Sequence, residues 1–278
     1  MQLNLTVISG FLKEVLLEDI GICGDITTNA LFLEKKLVNF EIASRETMKL
    51  CGEKIARWYL DQYNVKDYES KFKDGDLIEG GDIIIHGKAD VKTILLLERT
   101  ILNFMQHLSG VATITSDYVK EIQNTKAKIT DTRKTIPGLR AFQKYAVRCG
   151  GGVNHRLALD SAIMLKDNHI NAVGSVSEAV RLAKLVKPHY SKIIVECDNF
   201  KQFEEALSND VEIILLDNMD VSTIEKCVSF NNKRAIIEAS GGITIKNVRK
   251  IAETGVDFIA VGAITHSVKA VDIGLDLL

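Results

Sequence analysis

Proline is nearly missing from this chain. Pro137 and Pro188 are the only two among 278 residues, which excludes a proline-rich linker. Cysteine is sparse and odd in number: Cys23, Cys51, Cys149, Cys197 and Cys227 are scattered, with no CxxC pair. Neither a disulfide framework nor a zinc site is expected from them, and the thiols read as reduced, in a cytoplasmic protein. No stretch approaches the roughly 20 unbroken apolar residues of a membrane-spanning helix. Met1 to Gly10 lacks a basic segment followed by an apolar one, so no secretory signal is expected. Excess charge is lacking as well. The 35 Lys+Arg face 37 Asp+Glu, a net charge of −2, which gives no general attraction to nucleic acid. No P-loop, G-x-G-x-x-G or G-x-S-x-G occurs.

What is present is a core and a rhythm. Hydrophobic residues make up 46% of the chain, enough for one large domain or a modest pair. In the second half, β-type apolar runs recur at Lys128–Asp131, Ala162–Leu165, Ile193–Val195, Ile213–Leu216, Ala235–Ile237 and Phe258–Val261, with a seventh conceivable near Gly150–Asn154. Between them, Ser175–Val186, Asn199–Leu207, Val221–Val228 and Ile245–Thr254 carry helical spacing, with Asn199 and Thr244 as N-caps and Gly255 as a C-terminal stop. Short buried strands alternating with amphipathic helices imply βα units on a parallel sheet.

The first hundred residues read differently. Val38–Ser44 and Ile83–Ile85 predict strands and Cys51–Tyr63 a helix. Lys92–Met105 predicts a strongly apolar helix, and His107–Ile122 continues helically after a break. The expected fold is α/β, with an α+β sandwich domain over 1–106 and a βα barrel over 107–278, the extreme C-terminus packing back on the first domain. About 170 residues are too few for a complete eight-unit barrel, which needs roughly 200, so an open, incomplete barrel is expected.

Barrel enzymes place their chemistry where the strands end. After the six apolar runs come, in order, Asp131, Arg133 and Lys134; Lys166; Glu196 and Asp198; Asp217; Glu238, Ser240, Gly241 and Gly242; and Gly262, with Thr265 and His266 beyond it. Arg133, Lys134, His155, Arg156 and Lys166 would form a cationic side of one mouth, and Glu196, Asp198 and Asp217 an acidic side. Ser240-Gly241-Gly242 and Gly262-Ala263 occupy the usual place of a barrel phosphate site. A small, multiply charged anion suits such a mouth, with carboxylates for ribose hydroxyls or Mg²⁺. Asp198 could equally cap the helix that follows it. Lys166 alone would also suit a Schiff-base aldolase.

The run from Asp131 to Ile170, DTRKTIPGLRAFQKYAVRCGGGVNHRLALDSAIMLKDNHI, closely resembles the quinolinate phosphoribosyltransferase family. The resemblance continues in GDITT (Gly24–Thr28), ERTILNFMQHLSGVAT (Glu98–Thr113), ILLDN (Ile214–Asn218), EASGGI (Glu238–Ile243) and AVGAITHS (Ala260–Ser267). Molybdenum-transport-associated homologues share the DTRKT-type motif but not the KDNH segment, found here at Lys166–His169. The resemblance implies a transferase that makes nicotinate mononucleotide, CO₂ and pyrophosphate from quinolinate and phosphoribosyl pyrophosphate, with Mg²⁺, in NAD biosynthesis. It implies quinolinate binding by Arg133, His155, Arg156 and Lys166, with Lys134 near the phosphoribosyl group. Glu196 and Asp217 would hold the ribose hydroxyls and the metal, directly or through water. Ser240, Gly241, Gly262 and His266 would hold the 5′-phosphate. Lys134, Lys166, Glu196 and Asp217 are the expected catalytic set. Arg99 would reach the partner's site in a homodimer.

Overall fold

The computed structural model describes residues 3–278, which divide into two compact units. One comprises the chain up to Ser116 with Pro137–Gly151 and Ser267–Leu278, and the other Asp117–Ile136 with Gly152–His266.

The elements run in chain order as α1 (Leu5–Ile20), α2 (Ile26–Leu31), β1 (Leu37–Ser44), β2 (Met48–Lys49), α3 (Glu53–Gln62), β3 (Asp67–Ser70), β4 (Leu77–Ile78), β5 (Ile83–Asp90) and α4 (Val91–Glu121). There follow β6 (Lys128–Thr130), α5 (Arg140–Cys149), β7 (Ile163–Leu165), α6 (Asp167–Val173), α7 (Val176–Val186), β8 (Ile193–Cys197) and α8 (Phe200–Ser208). The last are β9 (Ile213–Asp217), α9 (Val221–Asn231), β10 (Ile236–Ser240), α10 (Val248–Glu253), β11 (Phe258–Ala260), α11 (Ala263–His266) and β12 (Ile273–Leu277).

In the first unit, β12, β1, β5 and β3 form an antiparallel sheet in that order, so the C-terminal strand pairs with β1. Fully buried Leu12, Tyr59 and Leu60 tie α1 to α3, and the Tyr59 hydroxyl donates to the Leu12 carbonyl at 2.6 Å. The helix break expected after Met105 does not occur. α4 runs uninterrupted for 31 residues. Its Gly110 marks a close approach instead: a Cβ there would stand 2.3 Å from the Lys269 carbonyl oxygen.

In the second unit, all six expected strands are present in one parallel sheet of order β6-β11-β10-β9-β8-β7. β6 and β7 are its edges, so the barrel is open. The conjectured seventh strand reduces to a single bridge between Thr130 and Val153. One face of the sheet is apolar throughout, with Ile193, Val195, Ile214, Leu216, Ile237 and Ile259 buried, while the opposite face joins buried Ile194 and Leu215 to the polar Glu196, Asp217 and Glu238. Ser175 and Asn199 cap α7 and α8 by accepting from the backbone N–H of Glu178 and Gln202. Asp198 therefore does not cap α8. Gly255 adopts φ 88° just past α10, as a helix stop requires. Thr244 is not that helix's N-cap, because α10 begins only at Val248. The Asn247 side chain accepts the Thr244 N–H at 2.7 Å and holds the intervening residues in a turn.

Candidate active site

The C-terminal ends of the barrel strands surround a cavity of about 360 Å³ lined by Thr132, Arg133, Lys134, His155, Arg156, Met164, Lys166, Glu196, Leu215, Asp217, Ser240 and Ala260. Eight of the twelve expected site residues thus meet in one place. The parallel register explains why. Asp217 and Ser240 are cross-strand partners at the last positions of β9 and β10, and Glu196 pairs with Leu215 one strand further on. Lys166 follows directly on β7.

Asp131, fully buried at the end of β6, organises the cationic wall. One carboxylate oxygen accepts the Asn154 side-chain amide at 2.6 Å and the other the His155 backbone N–H at 2.9 Å. This fixes the irregular Gly-rich loop that carries His155 and Arg156. The His155 Nδ1 accepts the Arg156 backbone N–H at 2.7 Å, which puts the ring proton on Nε2. The Arg156 Nη1 donates to the Ala162 carbonyl at 3.1 Å. The Nε atoms of Arg133 and Arg156 are buried and have no hydrogen-bond partner among the described residues. Burial, and then the charge of Arg133, hold the Arg156 guanidinium below its ordinary pKa. Two crowded guanidiniums with unused donors form a site for a planar, multiply charged anion.

The mouth does not divide as cleanly as its charges imply. The Lys166 Nζ lies 2.6 Å from the Glu196 carboxylate, so the two sides meet in an ion pair. The Lys166 backbone N–H donates to the His169 Nδ1 at 3.0 Å, which makes His169 a support for that turn. Asp217 accepts from the Asn218 side chain at 2.7 Å. Asp198 does not line the cavity. Burial and the charges of Asp217 and Asp167 push its carboxyl upward.

The remaining expected residues lie beside the cavity or away from it. Gly241 has φ 88°, and a Cβ there would stand 2.2 Å from the Asn218 Oδ1, so only glycine fits the turn after β10. A Cβ on Gly262 would meet the His266 ring and the Lys134 Cδ at 3.2 Å, which brings those three residues together. The Thr265 hydroxyl donates to the Lys134 carbonyl at 2.7 Å. Arg99 is exposed on α4 in the first unit, 3.7 Å from the carboxylate of its neighbour Glu98.

One buried group entered the sequence reading only as a polar residue after the fifth apolar run, with no role given to it. Glu238, the only charged residue of β10, is almost fully buried, and its Oε2 lies 3.6 Å from the His155 Nε2. Burial, and then the charge of Asp131, push its carboxyl up to about 8. A lone glutamate inside an apolar strand run was the signal available.

An open α/β barrel whose strand ends gather cations around a small cavity defines an enzyme acting on a small anion. Residues 25–109 match the family model for the quinolinate phosphoribosyl transferase N-terminal domain, and residues 111–276 that for the C-terminal domain. The nicotinate-nucleotide pyrophosphorylase [carboxylating] of Mycobacterium leprae is 42% identical, covering 96% of this chain and 95% of its own length. The probable enzyme of the same name from Bacillus subtilis is 40% identical, covering 96% and 92%. The crystal structure of nicotinate-nucleotide pyrophosphorylase from Ehrlichia chaffeensis superposes with a TM-score of 0.94 at 44% identity, covering all of both chains. The chain belongs to the quinolinate phosphoribosyltransferase family. It is a phosphoribosyltransferase, and its family works in de novo NAD biosynthesis.

Proposed function

We propose that this enzyme joins quinolinate to phosphoribosyl pyrophosphate, releasing nicotinate mononucleotide, diphosphate and CO₂, through the cavity at the strand ends. The observation that carries this reading is the pair of buried, unpartnered Nε donors on Arg133 and Arg156. A dicarboxylate would satisfy both guanidiniums with bidentate bonds. A turnover assay with quinolinate, phosphoribosyl pyrophosphate and Mg²⁺ tests it, with CO₂ release as the signal. Absence of turnover by pure, folded protein would overturn it.

The residues divide the work. Arg133, Arg156, His155 and Lys166 hold quinolinate with its ring nitrogen toward the ribose C1. The nitrogen lone pair forms the new bond to C1 as the C1–oxygen bond breaks and diphosphate leaves. The ring nitrogen is then cationic. The bond to the adjacent carboxylate breaks, CO₂ departs, and the electron pair left on carbon is stabilised by that cation until a proton replaces it. Fixed charges that need not reorganise supply much of the acceleration. Lys134 sits near the phosphoribosyl group, and Ser240, Gly241, Gly262 and His266 hold its phosphate.

Glu196 and Asp217 face the ribose diol. Both offer only carboxylate oxygens, the donors that Mg²⁺ takes. No group of three or more His, Cys, Asp or Glu that could hold a metal occurs among the described residues. The fit is therefore to an ion held by one or two carboxylates together with substrate and water. When bound, Mg²⁺ stabilises negative charge on the departing diphosphate. Glu196→Ala and Asp217→Ala should each weaken phosphoribosyl pyrophosphate binding at least tenfold, in calorimetry with Mg²⁺, and change quinolinate binding far less. Normal binding by both variants would remove these residues from that role.

Lys166 acts in this scheme as an electrostatic ligand. Its ion pair with Glu196 ties up the amine that a Schiff base would need. Borohydride with quinolinate should leave the protein mass unchanged, and a reduced adduct on Lys166 would restore the aldolase reading. The working form is a homodimer with Arg99 acting in trans, and the compartment is the cytoplasm, in keeping with five unbridged cysteines. Among the described residues no helix is long and apolar enough to cross a membrane.

A further inference from the structure

Behind the quinolinate site the barrel interior continues into a second cavity of about 330 Å³, lined by Glu238, His155, Arg156, Tyr190, Ser191 and Lys192 among others. His155 and Arg156 line both cavities. Glu238 projects from the middle of β10 into the space behind them. Its side chain is 6% exposed, and its Oε1 is buried without a hydrogen-bond partner. The strand neighbours of Glu238, Leu215 and Phe258, bring no charge. The titratable groups around it are Asp131 just past β6, His155, Arg156, and Lys192 and Tyr190 across the second cavity. None of them ion-pairs with Glu238 at short range; the nearest, His155, stands 3.6 Å away.

We infer that Glu238 is a positioning residue of the quinolinate site: as a neutral acid it backs the His155 ring, and its loss of a proton drives the dianionic substrate out. The inference rests on the quinolinate reading above. Its physical basis is simple. The His155 Nδ1 accepts from the Arg156 backbone, and the Glu238 Oε2 lies 3.6 Å from the Nε2 edge, close enough to bear on the ring without a hydrogen bond. An uncharged carboxyl can stay in this apolar strand, whereas a carboxylate would add a second negative charge beside Asp131. It would also draw the Arg156 and His155 protons away from a bound dicarboxylate. Burial and the Asp131 charge, which push Glu238 up to about 8, keep it neutral under ordinary conditions.

The isosteric amide Glu238→Gln and the truncation Glu238→Ala, in the full chain, separate the outcomes. Quinolinate affinity, followed calorimetrically from pH 6 to 9.5, should fall in the wild type by about tenfold per pH unit once Glu238 ionises. Glu238→Gln should bind within about threefold of wild type at pH 7 and lose the component of alkaline weakening that Glu238 causes. Glu238→Ala should bind about tenfold more weakly at pH 7, because the His155 ring loses its support. Thermal stability gives an arm that needs no ligand. A carboxyl raised in the folded state contributes stability below its unfolded pKa and loses it as pH climbs to the folded value. Relative to wild type, Glu238→Gln should therefore gain stability from about pH 4.5 to about 8 and hold a constant difference above. An alkaline fall shared equally by Glu238→Gln, or a stability difference independent of pH, overturns the inference. Failure of the wild type to bind quinolinate at any pH overturns the substrate reading itself.

Discussion

Arg156→Ala should lower kcat/KM for quinolinate at least about 100-fold, since a hydrogen bond to a charged group contributes roughly 1.5–3 kcal/mol and a bidentate pair makes two. The loss should fall on quinolinate KM and leave phosphoribosyl pyrophosphate binding nearly unchanged. Arg156 lines the same cavity as Asp217, held near Arg133 at an electrostatic cost that Glu196 only partly offsets, and an anion between the two guanidiniums would relieve the rest. Lysine at this position should recover little, because an ammonium cannot reproduce the planar fork. The same reasoning sets substrate choice. Nicotinate lacks the carboxylate beside the ring nitrogen and would leave buried donors unpaired, so the wild type should turn it over at least a hundredfold less well than quinolinate. Equal use of both acids, or normal quinolinate KM in Arg156→Ala, would detach the arginine pair from substrate recognition.

A second large effect concerns Arg99. It stands exposed on an otherwise apolar stretch of α4, with Glu98 at 3.7 Å as its ion-pair partner. If it completes the partner's site, Arg99→Ala and Lys134→Ala should each be nearly inactive alone and restore activity when mixed. A heterodimer then contains one site with neither lesion, since Lys134 acts within its own subunit and Arg99 across the interface. Random exchange makes half the dimers mixed, each with one of two sites intact, so recovery should approach about a quarter of wild type. Native mass spectrometry would verify that the subunits had exchanged. With exchange verified, no recovery would mean that Arg99 serves its own subunit or only the fold.

The amino-acid sequence by itself determined the elements and much of the chemistry. Six barrel strands and the capped helices α7 and α8 were readable because burial on both faces demands unbroken apolar runs, and because a Ser or Asn before helical spacing satisfies open N–H groups. The polar strand ends were readable as the points where the apolar runs stop, although Glu196 and Glu238 still lie inside β8 and β10. Pairing was left to the tertiary structure. The order β6-β11-β10-β9-β8-β7 leaves β6 and β7 at the open edges, and no local pattern encodes which strands become neighbours. The salt bridge of Lys166 with Glu196 joins the residue just past β7 to one on the adjacent β8, 30 positions away in the chain, and it exists only because the parallel register brings those two ends level. The break expected after Met105 is absent from α4, and the close approach of the Lys269 backbone to Gly110, a contact far along the chain, is made only by the fold. Glu238 carries the same lesson. Its glutamate side chain is written in the sequence, but the burial and the Asp131 charge that push its carboxyl upward are assembled only by folding.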